Sequence, residues 1–222
     1  MLINSPNNPS GVLYGDETLL EMSKIIQEKE DEFGIEIYLV SDEPYRKIIF
    51  DGIEYPHIFN YHKRSIVATS HSKDLALPGE RIGYIAVNPD CPDVEEILDG
   101  LVFCNRTLGF VNAPALIQYL VAHLQGTTID VGLYERKRDY LYKALTDMGY
   151  SLIKPQGAFY MFPKSPTEDD VQFTEELKGN RVLVVPGRGF GLPGYFRISY
   201  CLDDATIEGS LSGLGKAISA YK

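Results

Sequence analysis

Two hundred and twenty-two residues, 44% hydrophobic, 23% charged and 11% aromatic, describe a globular chain long enough for one large domain or two small ones, and they exclude disorder, collagen and coiled coil. Twenty-one basic residues against 31 acidic ones give a formal net charge of −10 with no acidic tail, which speaks against a nucleic-acid partner. Cys91, Cys104 and Cys201 form no C-x-x-C pair, so neither a disulfide framework nor a zinc site is expected; with no signal-like N-terminus and no bilayer-length apolar run, the expectation is a soluble, cytoplasmic protein without a membrane partner.

The opening run Met1-Leu2-Ile3 predicts a strand that stops at Asn4-Ser5-Pro6-Asn7-Asn8-Pro9-Ser10-Gly11, nearly all turn formers. A helix follows, capped by Asp16 and closed by Gly34, with Leu19, Leu20, Met22, Ile25 and Ile26 at helical spacing, and then a strand over 35–40. Two further apolar runs, 66–69 and 82–87, read as buried strands. This alternation predicts an α/β layer structure with parallel strands. Helices are expected over roughly 93–104, 113–125 and 130–148. Beyond Gly149 the pattern changes: strands at 150–153, 158–162, 182–185 and 195–200, and helices at roughly 168–178 and 204–219. That second part reads as a smaller α+β domain, with the boundary placed between 1–130 and 131–222.

Four segments carry candidate chemistry. Ser70-His71-Ser72-Lys73 lies just beyond a strand end, where open α/β sheets bind ligands; two hydroxyls and a lysine, with Arg81, suit an anionic group, the alternative being a solvated loop. Asp42 ends the preceding strand, with Tyr45 three residues on. A charge at the end of a buried strand costs desolvation and invites a cationic partner, unless it merely caps a turn. In Gly194–Tyr200, alternation sets Phe196, Ile198 and Tyr200 on one face and Tyr195, Arg197 and Ser199 on the other. The planar fork of Arg197 matches a carboxylate, from a substrate or an internal acid, and the strand alone favours the internal pair. Gly187-Arg188-Gly189-Phe190-Gly191 runs on into a strand rather than opening a helix, so it reads as a hairpin-like connection and not a phosphate loop. His57, His62, His71 and His123 show no metal-ligand spacing, and no G-x-S-x-G is present.

Taken in order, these segments resemble the class I and II aminotransferases, pyridoxal phosphate enzymes of the aspartate aminotransferase fold. Asn4–Gly11 is similar to their N-x-P-x-N-P-[ST]-G loop and Asp42-x-x-Tyr45 to their D-x-x-Y. Ser70-x-Ser72-Lys73 with Arg81-x-Gly83 resembles the cofactor-lysine motif, and Phe196-Arg197-Ile198-Ser199 the carboxylate-binding strand. The resemblance runs from residue 1 to the C-terminus. It implies an α/β, three-layer αβα transferase-like large domain, incomplete at its N-terminal side, followed by a small α+β C-terminal domain. It also implies amino-group transfer between an L-amino acid and a 2-oxo acid in a homodimer. Lys73 would be the catalytic Schiff-base lysine and proton shuttle, and Asp42 would pair with the pyridinium nitrogen. Tyr45 and Asn8 would bond the phenolic oxygen, Ser70, Ser72 and Arg81 the phosphate, and Arg197 the substrate α-carboxylate.

Two departures qualify the resemblance. The family's chain starts well before its N-x-P-x-N-P-[ST]-G loop, so a glycine-rich phosphate turn, a ring-stacking aromatic and early strands are expected to lie outside these residues. A truncated chain of this kind is expected to be weak or inactive alone. His71 stands where the family usually has an apolar residue. A C–S lyase of the same fold and a non-catalytic interaction module are the alternative functions.

Overall fold

In the computed structural model, which describes residues 1–221, the chain forms two units. The first comprises Met1–Ser5, Tyr14–Lys47 and Glu54–Ile129; the second comprises Pro6–Leu13, Ile48–Ile53 and the chain from Asp130 onward.

The first unit is built on a four-stranded sheet of β1 (Leu2–Asn4), β2 (Leu39–Asp42), β3 (Ser65–Ser70) and β4 (Gly83–Val87), in that order. Helix α1 (Asp16–Phe33) links β1 to β2, which lie parallel. Gly15 rather than Asp16 takes the capping position, and Asp16 and Glu17 fill the first turn, where the helix dipole favours acids. Gly34 ends the helix as expected, in the left-handed region at φ 63°, its N–H reaching the Glu30 carbonyl at 2.9 Å. Leu19 and Ile26 of α1 pack on Ile3, Leu39, Ile58 and Val67 to form the core of this unit.

Two strand expectations are corrected here. The second strand begins at Leu39, not 35, because side chains take the backbone of Ile37: the Glu30 carboxylate accepts its N–H at 2.8 Å, and the His62 ring meets its carbonyl at 3.0 Å. The strand at 82–87 pairs antiparallel with β3, and its Tyr84 and Ile85 are exposed rather than buried. Residues 71–82 hold only the single-turn helix α2 (His71–Asp74) and a 3₁₀ turn at Pro78–Glu80, too little to cross the sheet and return, so the chain doubles back.

Gly83 is the residue that lets β4 approach. It pairs with Ser70, and a Cβ there would sit 2.3 Å from the Thr69 carbonyl oxygen, a backbone atom that cannot step aside. Gly83→Ala is therefore expected to cost about 1–3 kcal/mol in urea unfolding, whereas Gly79→Ala, facing open space, should be near neutral.

Helices α3 (Val94–Thr107) and α4 (Ala115–His123) complete the unit. No residue of α3 is buried, and Val102, Phe103, Leu108, Phe110, Leu116 and Tyr119 present apolar surface to solvent.

The second unit holds α5 (Val131–Asp147), β5 (Tyr160–Met161), α6 (Asp170–Gly179), β6 (Val185–Pro186), β7 (Phe196–Ser199) and α7 (Asp204–Ser219), with an antiparallel sheet ordered β5-β7-β6. Its three helices start on aspartates whose side chains accept backbone N–H groups: Asp130 from Leu133, Asp169 from Val171 and Gln172, and Asp203 from Thr206. The strand expected at 150–153 does not form. Tyr150 is instead buried, its ring against Phe173 and Phe196 and its hydroxyl donating to the Leu214 carbonyl at 3.0 Å. Gly187–Phe190 is a 3₁₀ turn between two antiparallel strands, as the sequence indicated.

Arg138 of α5 is the largest wholly buried side chain. Its fork binds Asp51 bidentately at 2.6 and 2.8 Å, and it also donates to the Pro155 carbonyl at 3.0 Å. Asp139 lies 2.9 Å and Glu135 3.3 Å from the same guanidinium, which stacks 4.7 Å over the Phe50 ring.

Candidate active site

The three parallel strands of the first unit end side by side, with Asn4 opposite Asp42 and Asp42 opposite Ala68, two residues before the end of β3. Ligand-binding groups in such sheets sit at these carboxyl ends. Asn4 Nδ2 donates to the Asp42 carboxylate and to the Asp42 carbonyl, both at 3.0 Å. Burial pushes the half-buried Asp42 carboxyl up from its usual range, and the bond from Asn4 opposes that shift. Among the described residues no cation lies within 4 Å of this carboxylate. Tyr45 is buried in the turn after β2.

At the neighbouring strand end, Ser70 closes β3 and Ser72 and Lys73 follow, half-buried, on α2. The short helix is tied at its start by the His71 N–H, which donates to the Ile82 carbonyl at 3.0 Å. Arg81 is exposed, held in the left-handed region at φ 51°, and its Nη1 donates to the Pro78 carbonyl at 2.8 Å. Asp42, Tyr45, Ser70, Ser72, Lys73 and Arg81 thus all belong to the first unit.

Asn8 and Arg197 belong to the second unit. The alternation along β7 holds: Phe196, Ile198 and Tyr200 are buried, while Arg197 is half-buried on the other face. Its Nη1 donates to Asn8 Oδ1 at 2.9 Å, and its guanidinium stacks over the rings of Tyr160 at 4.6 Å and Phe190 at 4.7 Å. The internal acid that the strand alone suggested is not there: among the described residues no carboxylate lies within 4 Å of Arg197, and its buried Nε has no hydrogen-bond partner. A positive fork oriented by two aromatic faces and one neutral amide is suited to an incoming carboxylate.

Two residues that the motifs left without a role stand out. Asn4 was legible only as a turn former; its position beside Asp42 depends on the parallel register. Glu43, next to Asp42, is 1% exposed, and neither of its carboxylate oxygens has a hydrogen-bond partner, nor has the buried Ser41 hydroxyl. Burial raises the Glu43 carboxyl, against the opposing charge of Arg46. A carboxyl raised in the folded state favours folding below the ordinary carboxylate range and loses that contribution as pH rises through its raised value. Glu43→Gln, which stays neutral, should therefore gain stability relative to the parent as pH rises above the ordinary carboxylate range, read in paired urea titrations.

Among the described residues no group of three His, Cys, Asp or Glu side chains is placed to hold a metal ion, and no helix is long and apolar enough to cross a membrane.

The fold agrees with the likeness to known proteins. The family described as aminotransferase class I and II matches residues 1–214. A probable aspartate aminotransferase of Methanocaldococcus jannaschii is 33% identical over 219 residues, which is 95% of this chain and 56% of that protein. An amino transferase of Eubacterium rectale, known from its crystal structure, superposes with a TM-score of 0.96 at 43% identity, covering all of this chain and 56% of the other. The aromatic aminotransferase of Pyrococcus horikoshii superposes at 0.83 and 28% identity, covering 99% of this chain and 59% of that one. The chain therefore spans rather more than half the length of the proteins it matches, and its mixed α/β fold agrees with theirs. This chain belongs to the class I and II aminotransferases.

Proposed function

We propose that the chain provides the lysine-bearing and carboxylate-binding residues of a pyridoxal phosphate-dependent aminotransferase acting on an L-amino acid and a 2-oxo acid. The observation that carries this reading is Asp42: a half-buried carboxylate at a strand end, restrained by a neutral amide and facing no cation, on the strand next to the one that leads into Lys73. A protonated ring nitrogen is the partner such a group lacks, so the donor set fits the cofactor.

When bound, the cofactor supplies an electron-withdrawing ring that acidifies the amino acid's Cα–H bond. Asp42 holds the proton on the ring nitrogen, and Asn4 keeps its carboxylate aimed. Lys73 anchors the ring and moves a proton at the substrate Cα through its amine. By the family resemblance, Tyr45 and Asn8 would bond the phenolic oxygen, and Ser70, Ser72 and Arg81 the phosphate. Arg197, whose Nη1 donates to Asn8 Oδ1 at 2.9 Å, takes the substrate α-carboxylate in its fork. Arg197→Lys removes the fork while keeping the charge. It should weaken amino-acid binding about 10- to 100-fold whatever the substrate side chain, as read by spectral titration.

The test is incubation with pyridoxal phosphate, borohydride reduction, intact mass and peptide mapping. A single phosphopyridoxyl group at Lys73 supports the proposal, and a folded chain that takes none overturns it. The exposed apolar side chains of α3 and α4 favour a homodimer as the working form, to be read by sedimentation. They also favour weak or no transamination by these 222 residues alone. The three free cysteines suit a reducing cytoplasm.

A further inference from the structure

Three ionisable side chains that the proposed chemistry leaves unused meet at the helix that carries Lys73. His71 and Asp74 are both buried, and His71 Nδ1 lies 3.2 and 3.3 Å from the two oxygens of the Asp74 carboxylate. Lys47 Nζ is 3.3 Å from the same carboxylate and donates to the carbonyls of Gln125 at 2.9 Å and Thr127 at 3.3 Å. The Asp74 carbonyl accepts from the Ile129 N–H at 2.8 Å and the Thr128 hydroxyl at 3.1 Å. The His71 carbonyl accepts from the Leu77 N–H at 3.2 Å.

A single helical turn does not hold itself together: fixing its dihedrals costs more than its one internal bond returns. Helix α2 is such a turn, so its shape rests on these outside bonds and on the clasp between its first and last residues. Lys73 lies inside that clasp. A histidine buried beside a carboxylate is also costly unless the pairing is kept, which makes the clasp sensitive to the atom that makes it.

We propose that His71 is a positioning residue: its Nδ1 bond to the Asp74 carboxylate, which Lys47 ties to residues 125–127, fixes α2 so that the Lys73 amine is held in one orientation. The inference rests on Lys73 being the cofactor lysine, and it depends on a particular nitrogen. The side-chain amide of asparagine can place a donor where Nδ1 sits. Phenylalanine keeps the ring volume and the contact with Tyr84, whose ring centroid is 6.0 Å away, but offers no donor.

The experiment compares His71→Phe, His71→Asn and Asp74→Asn in the full 222-residue chain, by hydrogen exchange without cofactor and by phosphopyridoxyl yield at Lys73 after reduction. The expected result is about tenfold faster exchange at residues 71–77 and a several-fold lower yield in His71→Phe and Asp74→Asn, with both readouts restored in His71→Asn. Exchange unchanged in His71→Phe, His71→Asn as defective as His71→Phe, or a uniform rise across α1 and β3 as well would each overturn the proposal. Should the parent chain take no cofactor at all, the proposed function fails while the exchange comparison still decides whether His71 orders the turn.

Discussion

Replacing Lys73 with alanine is expected to bring borohydride-trapped pyridoxal phosphate down to background and, wherever transamination by the parent is measurable, to lower it about 10²–10⁴-fold. Lys47, which bonds Asp74 on the same helix, does not take over, because its ammonium is already held by that carboxylate and by two backbone carbonyls. Lys73→Arg should fail equally: the guanidinium stays protonated and forms no imine, although it preserves charge and length. The variants should keep the parent's circular dichroism and urea midpoint, because Lys73 is half-buried rather than part of the core. A small amine added to Lys73→Ala should recover part of the rate. An adduct that simply moves to another lysine would show that the assignment is wrong.

The largest stability effect is expected in the second unit, and it should come from removing acids rather than the base. The Arg138 guanidinium is wholly buried, while Asp51 and Asp139 are about half exposed, with side-chain exposures of 42% and 50%. Without Arg138 the carboxylates hydrate, so Arg138→Met should cost about 2 kcal/mol, mostly lost packing and hydrogen bonds. Without Asp51 and Asp139 the buried cation keeps, among the described residues, only Glu135 and the Pro155 carbonyl, and the double change to alanine should cost about 3–5 kcal/mol. Acid should act on the same cluster. The bond from Arg138 holds the Asp51 carboxyl below its usual range, and bonds from Lys154 and Arg138 outweigh burial to do the same at Asp139. Carboxyls lowered in the folded state stabilise above the ordinary carboxylate range and lose that contribution as pH falls through their lowered values. Urea midpoints should therefore fall in strong acid, and fall less in the double variant. Equal costs for Arg138→Met and the double variant would refute the argument from burial.

Sequence reading served best where local chemistry decides the outcome. Gly34 ends α1 because only a residue at ease with positive φ fits there, and the apolar pattern places the starts of α5, α6 and α7 within a residue or two. The alternation that turns Phe196, Ile198 and Tyr200 inward is visible in the chain itself. What failed depends on groups far apart in sequence. Capture of Ile37 by Glu30 and His62 delays β2, and burial of the Tyr150 ring replaces a strand. In the candidate site, the motifs singled out Asp42, Lys73 and Arg197 because each is an unusual residue in its local pattern. They gave no sign that Asn4 restrains Asp42 across a strand pair, or that Asn8 meets Arg197 from 189 residues away. Composition and spacing along the chain carry no information about such encounters.

The sheet of the first unit has consequences for how the chain behaves in a tube. β1 stands at one border with Leu2 exposed, and β4 at the other with Tyr84 and Ile85 exposed, so each border offers main-chain donors and acceptors beside apolar side chains. Such borders template the addition of further strands. Warming, which loosens the rest of the fold and leaves these borders adhesive, should drive the chain into precipitate before unfolding reaches equilibrium. A melting scan then reports the rate of clumping and shifts with concentration and heating speed, whereas urea at low protein concentration keeps the unfolded chain dissolved and lets the fold's own strength be weighed.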